Sequence, residues 1–239
     1  MRNLLNLLTI LMLIGCTTSS RLHEQNTVED YNAMKEIGKF KTFNQTGPIV
    51  NNLDEISEEF LNSITENVMV LEIGAGFGYV AHKALEKGAE VYANEIDERH
   101  LEIIQKNAPS YKKNRLHLIN SKFPFNISSV KLKVNSLDAV LAQRVLHFLK
   151  GSQLERGAKV IYDLLKPGGR VYVTVNSPYA NNKKKLLPFL DENVLKMAFK
   201  KVGFRIEKLF YLDNSSAYYN EIASDGRERI GLIATKLKK

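Results

Sequence analysis

A carboxylate followed by three alternating glycines, in the run Val70-Leu71-Glu72-Ile73-Gly74-Ala75-Gly76-Phe77-Gly78, has the composition of a ligand cradle. Glycine lacks a Cβ, so backbone at Gly74, Gly76 and Gly78, with Ala75 and Phe77 between them, can turn sharply and come close to a bound molecule. Roughly 20 residues downstream, Val91-Tyr92-Ala93-Asn94-Glu95 leads apolar strand residues straight into a second carboxylate, which can accept hydrogen bonds from two ribose hydroxyls. Asp97 is the alternative ligand, although it reads better as a helix cap. A dinucleotide fingerprint would need its third glycine at position 79, where this chain has Tyr79, so the spacing argues against a nicotinamide cofactor. His147, in Val145-Leu146-His147-Phe148, is a ring that could take a proton from a reacting group or could equally line the site by packing.

Residues so placed need a scaffold, and the periodicity supplies one. Leu53, Ile56, Phe60 and Ile64 share a helical face, and residues 69–73 read as a short buried strand. A helix over 78–87, a strand over 90–95, and a helix over 98–107 capped by Asp97 follow. Further strands are expected at 116–119 and 137–142, then a helix marked by Leu154, Ala158, Ile161 and Leu165 that ends in the turn Lys166-Pro167-Gly168-Gly169. A strand at 170–175, a helix at 192–202 and two last strands at 204–211 and 229–235 complete the pattern. Strands alternating with helices imply a doubly wound, mostly parallel α/β sheet, and a final pair with no helix between them implies an antiparallel hairpin at its edge. The glycine turn then falls where the first strand passes into its helix, the ligand crevice of such a sheet.

The chain has 239 residues, 44% of them apolar, enough for one catalytic domain with a full core. Its net charge of +8 would favour anionic partners, but the lysines are scattered without aromatic interleaving, which argues against nucleic acid. Cys16 is the sole cysteine, so neither an intramolecular disulfide nor a cysteine-rich metal site can form. Arg2, the short apolar stretch from Leu4 to Ile14 and Leu13-Ile14-Gly15-Cys16 resemble the signal peptide and lipobox of bacterial lipoproteins. That resemblance implies cleavage after residue 15, lipidation of Cys16, a tether over 16–30 and a membrane-anchored protein; the other reading is an apolar leader with a chance cysteine. Residues 31–66 would form a helical segment, with Thr42 to Pro48 a possible lid, and 67–239 the catalytic domain.

Glu72 with Gly74, Gly76 and Gly78, and Glu95 at the end of the next strand, resemble the motifs of class I S-adenosylmethionine methyltransferases, which share a seven-stranded Rossmann-like sheet. The resemblance covers roughly residues 53–235. It implies S-adenosylmethionine as cofactor, Asn120 and Ser121 beside the adenine where an aspartate is more usual, and Ala142 and Gln143 near the methionine portion. It puts His147 on the side of the acceptor pocket. Asn176-Ser177-Pro178-Tyr179 is superficially similar to the Asn-Pro-Pro-Tyr signature of amino methyltransferases, but it follows the fifth strand rather than the fourth and reads better as a turn. Glu95-Ile96-Asp97 is similar to ribosomal RNA adenine dimethylases, which need that same signature. Methyl transfer from a sulfonium needs no metal, and the acceptor could be a small molecule, a lipid or a protein. A non-catalytic cofactor-binding or scaffold protein is the alternative, and a nicotinamide-dependent oxidoreductase a more distant one. A lipobox would direct export whereas the cofactor is made in the cytoplasm; a start at Met34, leaving the protein cytoplasmic, or a lipoprotein that reaches a compartment containing the cofactor would resolve the conflict.

Overall fold

The computed structural model describes residues 39–41, 43, 48–50, 53–179, 188–212 and 229–238. Cys16, the leader and most of the 42–48 segment lie outside them. The chain divides into two compact units, Met1–Pro48 and Ile49–Lys239. In the first, strand β1 spans Lys39–Lys41; β2, Pro48–Val50, crosses the boundary. Among the described residues no helix is long and apolar enough to cross a membrane.

The second unit is built on a seven-stranded sheet. In chain order it contains α1 (Glu55–Asn62), β3 (Met69–Ile73), α2 (Tyr79–Glu86), β4 (Glu90–Glu95), α3 (Glu98–Asn107) and β5 (Leu116–Asn120). Then come β6 (Leu137–Gln143), α4 (Ser152–Leu164), β7 (Leu165–Asn176), α5 (Glu192–Lys201), β8 (Phe204–Leu212) and β9 (Arg229–Lys236). The spatial order is β5-β4-β3-β6-β7-β9-β8. The first five are parallel, and β9 runs antiparallel to both β7 and β8, so the expected edge hairpin is present with its second strand inserted against β7. The order reverses between β3 and β6, and beyond their C-terminal ends a doubly wound sheet opens its crevice.

Alternation along the strands buries both faces. Leu71, Ile73, Val140, Val171 and Val173 join a core with Leu154, Ile161 and Phe199 of α4 and α5. Val70, Val91, Leu141 and Tyr172 face the other way, onto Ile56, Phe60, Leu85 and Ile104 of α1, α2 and α3. In α1, Ile56 and Phe60 are one turn apart and fully inside, and the Phe60 ring meets Tyr172 edge-on at 5.6 Å. Burying either side chain is worth about 1.5–3 kcal/mol. This helix belongs to the compact unit, so the expected boundary between 66 and 67 falls inside it.

One local expectation is corrected. Lys166-Pro167-Gly168-Gly169 does not separate helix from strand, because β7 starts at Leu165 directly after α4. The turn survives as an outward step inside the strand: the ladder pairs Leu137 with Leu165 and then Ala139 with Arg170, and Gly168 takes φ +87° to make it.

Candidate active site

At the end of β3 the backbone turns away from the sheet through three left-handed glycines, Gly74, Gly76 and Gly78, at φ +69°, +57° and +78°. The N–H groups of Gly74 and Ala75 both donate to the Asn94 carbonyl, at 2.9 and 3.0 Å, which pins the loop to the end of β4. A Cβ on Gly74 would lie 3.0 Å from Val145, and one on Gly78 2.8 Å from Ile104. Both positive φ and lack of space therefore require glycine here. Gly78 also caps α2, so the turn delivers the chain into a helix N-terminus.

Glu95 closes this cradle. Its Oε2 accepts from the Gly76 N–H at 2.9 Å and its Oε1 from the Ile96 N–H at 2.8 Å. Burial alone would raise its pKa, but the hydrogen bond and charge of His100, with the N–H groups of Ile96 and Gly76, outweigh that and hold it below the ordinary value. It is an ionised acceptor at neutral pH. Asp97 caps α3 through the Arg99 N–H and grips the Arg99 side chain at 2.6 and 2.9 Å, which fits the cap reading.

Glu72 sits under the glycine loop, buried, and its Oε2 has no hydrogen-bond partner. Burial pushes its pKa up to about 8, the Glu95 charge adding to the rise and the Ala81 N–H opposing it. An unpartnered buried carboxyl oxygen beside a backbone cradle fits a cofactor that carries positive charge, because an orphaned polar atom is costly until something pairs with it.

Asn120, exposed, pairs in register with Glu95, and its amide reaches the Ile96 carbonyl at 3.4 Å. Ser121 donates its N–H to the Glu95 carbonyl, and its own carbonyl accepts from Asn94 at 2.7 Å. The structure thus brings Asn120 and Ser121 to the Glu95 rim. Ile96 stands there 54% exposed, an apolar surface next to the ribose candidate that sequence reasoning did not single out. Ala142 is buried in β6. Gln143 ends that strand, and its amide donates to Asp54 Oδ2 at 2.9 Å.

His147 lies in a single turn, Leu146–Phe148, just past β6. It is 4% exposed, and both ring nitrogens face Asn176, Nδ1 accepting from the backbone N–H at 3.4 Å and Nε2 lying 3.3 Å from the side-chain amide. Burial, then the Arg144 charge, lowers its pKa to about 4. The ring is neutral at physiological pH and held in place. Asn176 ends β7 and the chain turns at Pro178 and Tyr179, with the Tyr179 N–H on the Ser177 hydroxyl at 3.1 Å.

Sequence reasoning also missed a buried pair behind Gln143. Asp54 caps α1 through the Ser57 N–H at 2.9 Å and binds Arg229 Nη1 at 2.7 Å. A cap signal was available at Asp54, two residues ahead of Ile56 in the apolar-periodic run. Nothing local could have announced its partner at the start of β9.

Residues 71–171 match a family model described as a methyltransferase domain. Solved structures with the same fold include an S-adenosylmethionine-dependent methyltransferase from Listeria monocytogenes, 16% identical, covering 77% of this chain and 99% of that one with a TM-score of 0.59. Phosphoethanolamine N-methyltransferase 2 of Haemonchus contortus, in complex with S-adenosyl-L-methionine, is 15% identical over 90% of this chain and 58% of that one, TM-score 0.62. The [4+2]-cyclase SpnF is 17% identical over 77% of this chain and 80% of that one, TM-score 0.61. Residues 71–171 thus resemble a methyltransferase domain, and the chain shares its fold with solved S-adenosylmethionine-dependent methyltransferases. No curated protein matches the sequence.

Proposed function

We propose that this chain is an active enzyme that passes the methyl group of S-adenosylmethionine to an acceptor seated beyond the C-terminal ends of β6 and β7. The cofactor supplies a methyl group on a positive sulfonium, already activated for displacement. What remains for the protein is to hold and align. Gly74, Ala75, Gly76 and Gly78 admit the cofactor close to the backbone, and Glu95 accepts from its ribose hydroxyls. Ile96, Asn120 and Ser121 flank the adenine. Glu72 faces the positive methionine end, with Ala142 and Gln143 closing that side. His147 contributes by fixing Asn176 and the turn beyond it; a ring with a pKa near 4 is a weak base, so an acceptor that must lose a proton gets little help from it.

The observation that carries this reading is the hydrogen bond from Gly76 N–H to the Glu95 carboxylate, which ties the cradle to the ribose acid, with the unpartnered Glu72 oxygen close enough to feel the Glu95 charge. Tritium transfer from methyl-labelled cofactor into a small molecule, lipid or protein of a cell extract tests it. Label that stays with the purified protein and leaves on denaturation would instead favour a second reading, a cofactor-binding protein without methyl transfer. The likeness to a cyclase keeps that second reading open, since one fold can serve different chemistry.

The proposal extends to the leader. Lipidation of Cys16 would anchor the domain to a membrane, supported by the apolar run ending in Leu13-Ile14-Gly15-Cys16. Mass spectrometry of the native N-terminus checks it: an acylated Cys16 is expected, and an intact chain or a start at Met34 removes the anchor.

A further inference from the structure

α3 buries a polar ring where it could have buried an apolar one. His100, in the first turn of the helix, is 1% exposed, while the other buried side chains of α3, Leu101, Ile103 and Ile104, are apolar. A buried polar group costs free energy unless something partners it. The imidazole has two contacts that bear on the cradle. Its Nδ1 stands 3.7 Å from Glu95 Oε1, and its ring meets the Phe77 ring edge-on, centroids 5.0 Å apart and planes at 88°. Phe77 is itself buried, between Gly76 and Gly78 in the loop. One side chain thus touches both the acid at the end of β4 and the loop at the end of β3, and the Gly76 N–H on Glu95 Oε2 closes the triangle.

Glu95 needs such a hold. Each of its oxygens already accepts a backbone N–H, from Gly76 and from Ile96, so only the remaining lone pairs can take ribose hydroxyls, and a rotated carboxylate would misdirect them. Burial works against its ionised form, and the hydrogen bond and charge of His100 are the largest effects opposing burial. Asp97 also feels the ring but is held chiefly by Arg99. We propose that His100 is the positioning residue for Glu95: its imidazole holds the carboxylate in the orientation that accepts ribose hydroxyls and, through Phe77, fixes the glycine loop against it. This rests on the cofactor reading above and adds to it a residue that acts through Glu95 rather than on the cofactor itself.

The test is calorimetry of the full chain with S-adenosylhomocysteine and with its analogue lacking both ribose hydroxyls. His100→Phe keeps a ring against Phe77 and removes the nitrogens. It should weaken S-adenosylhomocysteine roughly tenfold and leave the affinity of the analogue unchanged, because the loss passes through hydroxyls that the analogue does not have. His100→Asn restores a donor near the Nδ1 position and should recover part of the preference for the hydroxylated nucleoside. A readout that needs no variant is the His100 imidazole resonances of the parent chain, which should move further with S-adenosylhomocysteine than with the analogue. Equal losses for the two ligands in His100→Phe, no loss with either, or equal movement of the resonances overturns the proposal and leaves the cofactor reading standing. A parent chain that ignores both nucleosides overturns the two together.

Discussion

At Glu72 a carboxyl group with an ordinary pKa of 4.5 is buried and pushed up to about 8. Between those values the folded chain holds a proton that the unfolded chain has lost, so this group's contribution to stability falls as pH rises from about 4.5 to about 8. Glu72→Gln keeps the shape without the charge. It should remove that slope, leaving the variant on the order of 2–4 kcal/mol more stable than the parent at pH 8 in chemical denaturation. It should at the same time weaken S-adenosylmethionine binding by roughly tenfold or more, because a charge-assisted partner is lost. A variant that binds normally and shows the parent's pH profile would place the unpartnered oxygen outside the site. Gly78→Ala is expected to cost about 1–3 kcal/mol, from strain at φ +78° and a contact of 2.8 Å with Ile104, read as a drop in thermal midpoint. The cradle was legible at this scale because glycine and carboxylate spacing is local. The roles of His147 and Gln143 were not, since their hydrogen bonds to Asn176 and Asp54 span 29 and 89 residues.

Among the elements, α1 does more than cover the sheet. Its cap residue Asp54 ties the helix to β9 through a buried bond from Arg229 and to β6 through a partly buried one from Gln143. Burial would raise the Asp54 pKa, yet the Arg229 charge and the hydrogen bonds of Ser57 and Gln143 hold it below the ordinary 3.8. The stability it supplies is present above pH 3.8 and is lost as pH falls through the lowered value. Asp54→Ala breaks the buried ion pair with Arg229 and should cost on the order of 3–5 kcal/mol, whereas adding Arg229→Met should recover part of the loss. Equilibrium unfolding of both variants checks this, and an additive pair of effects would show no coupling. The strands of the sheet and α3 with its Asp97 cap were legible because period and capping chemistry are written in neighbouring residues. The start of β7 was not: Pro167 and two glycines look the same whether they end a helix or bulge a strand, and only the ladder with β6 decides.

Across the whole domain, the order reversal between β3 and β6 sets a backbone cradle, an ionised Glu95 and a Glu72 with one unpartnered oxygen at one crevice. Ile96, Asn120 and Ser121 lie on the Glu95 side of it and Val145 packs against Gly74, with His147 and Asn176 in contact beyond β6. The fold class could be inferred from alternating strands and helices, but the acceptor could not, because its surroundings come from segments whose approach is fixed by long-range contacts. Isothermal calorimetry of the purified full chain with S-adenosylmethionine and with S-adenosylhomocysteine tests the central claim most directly. Saturable binding of both, much weakened by Glu95→Ala while the variant remains folded, is the predicted result. Absence of heat with either nucleoside from a folded protein, or affinity untouched by Glu95→Ala, would contradict it.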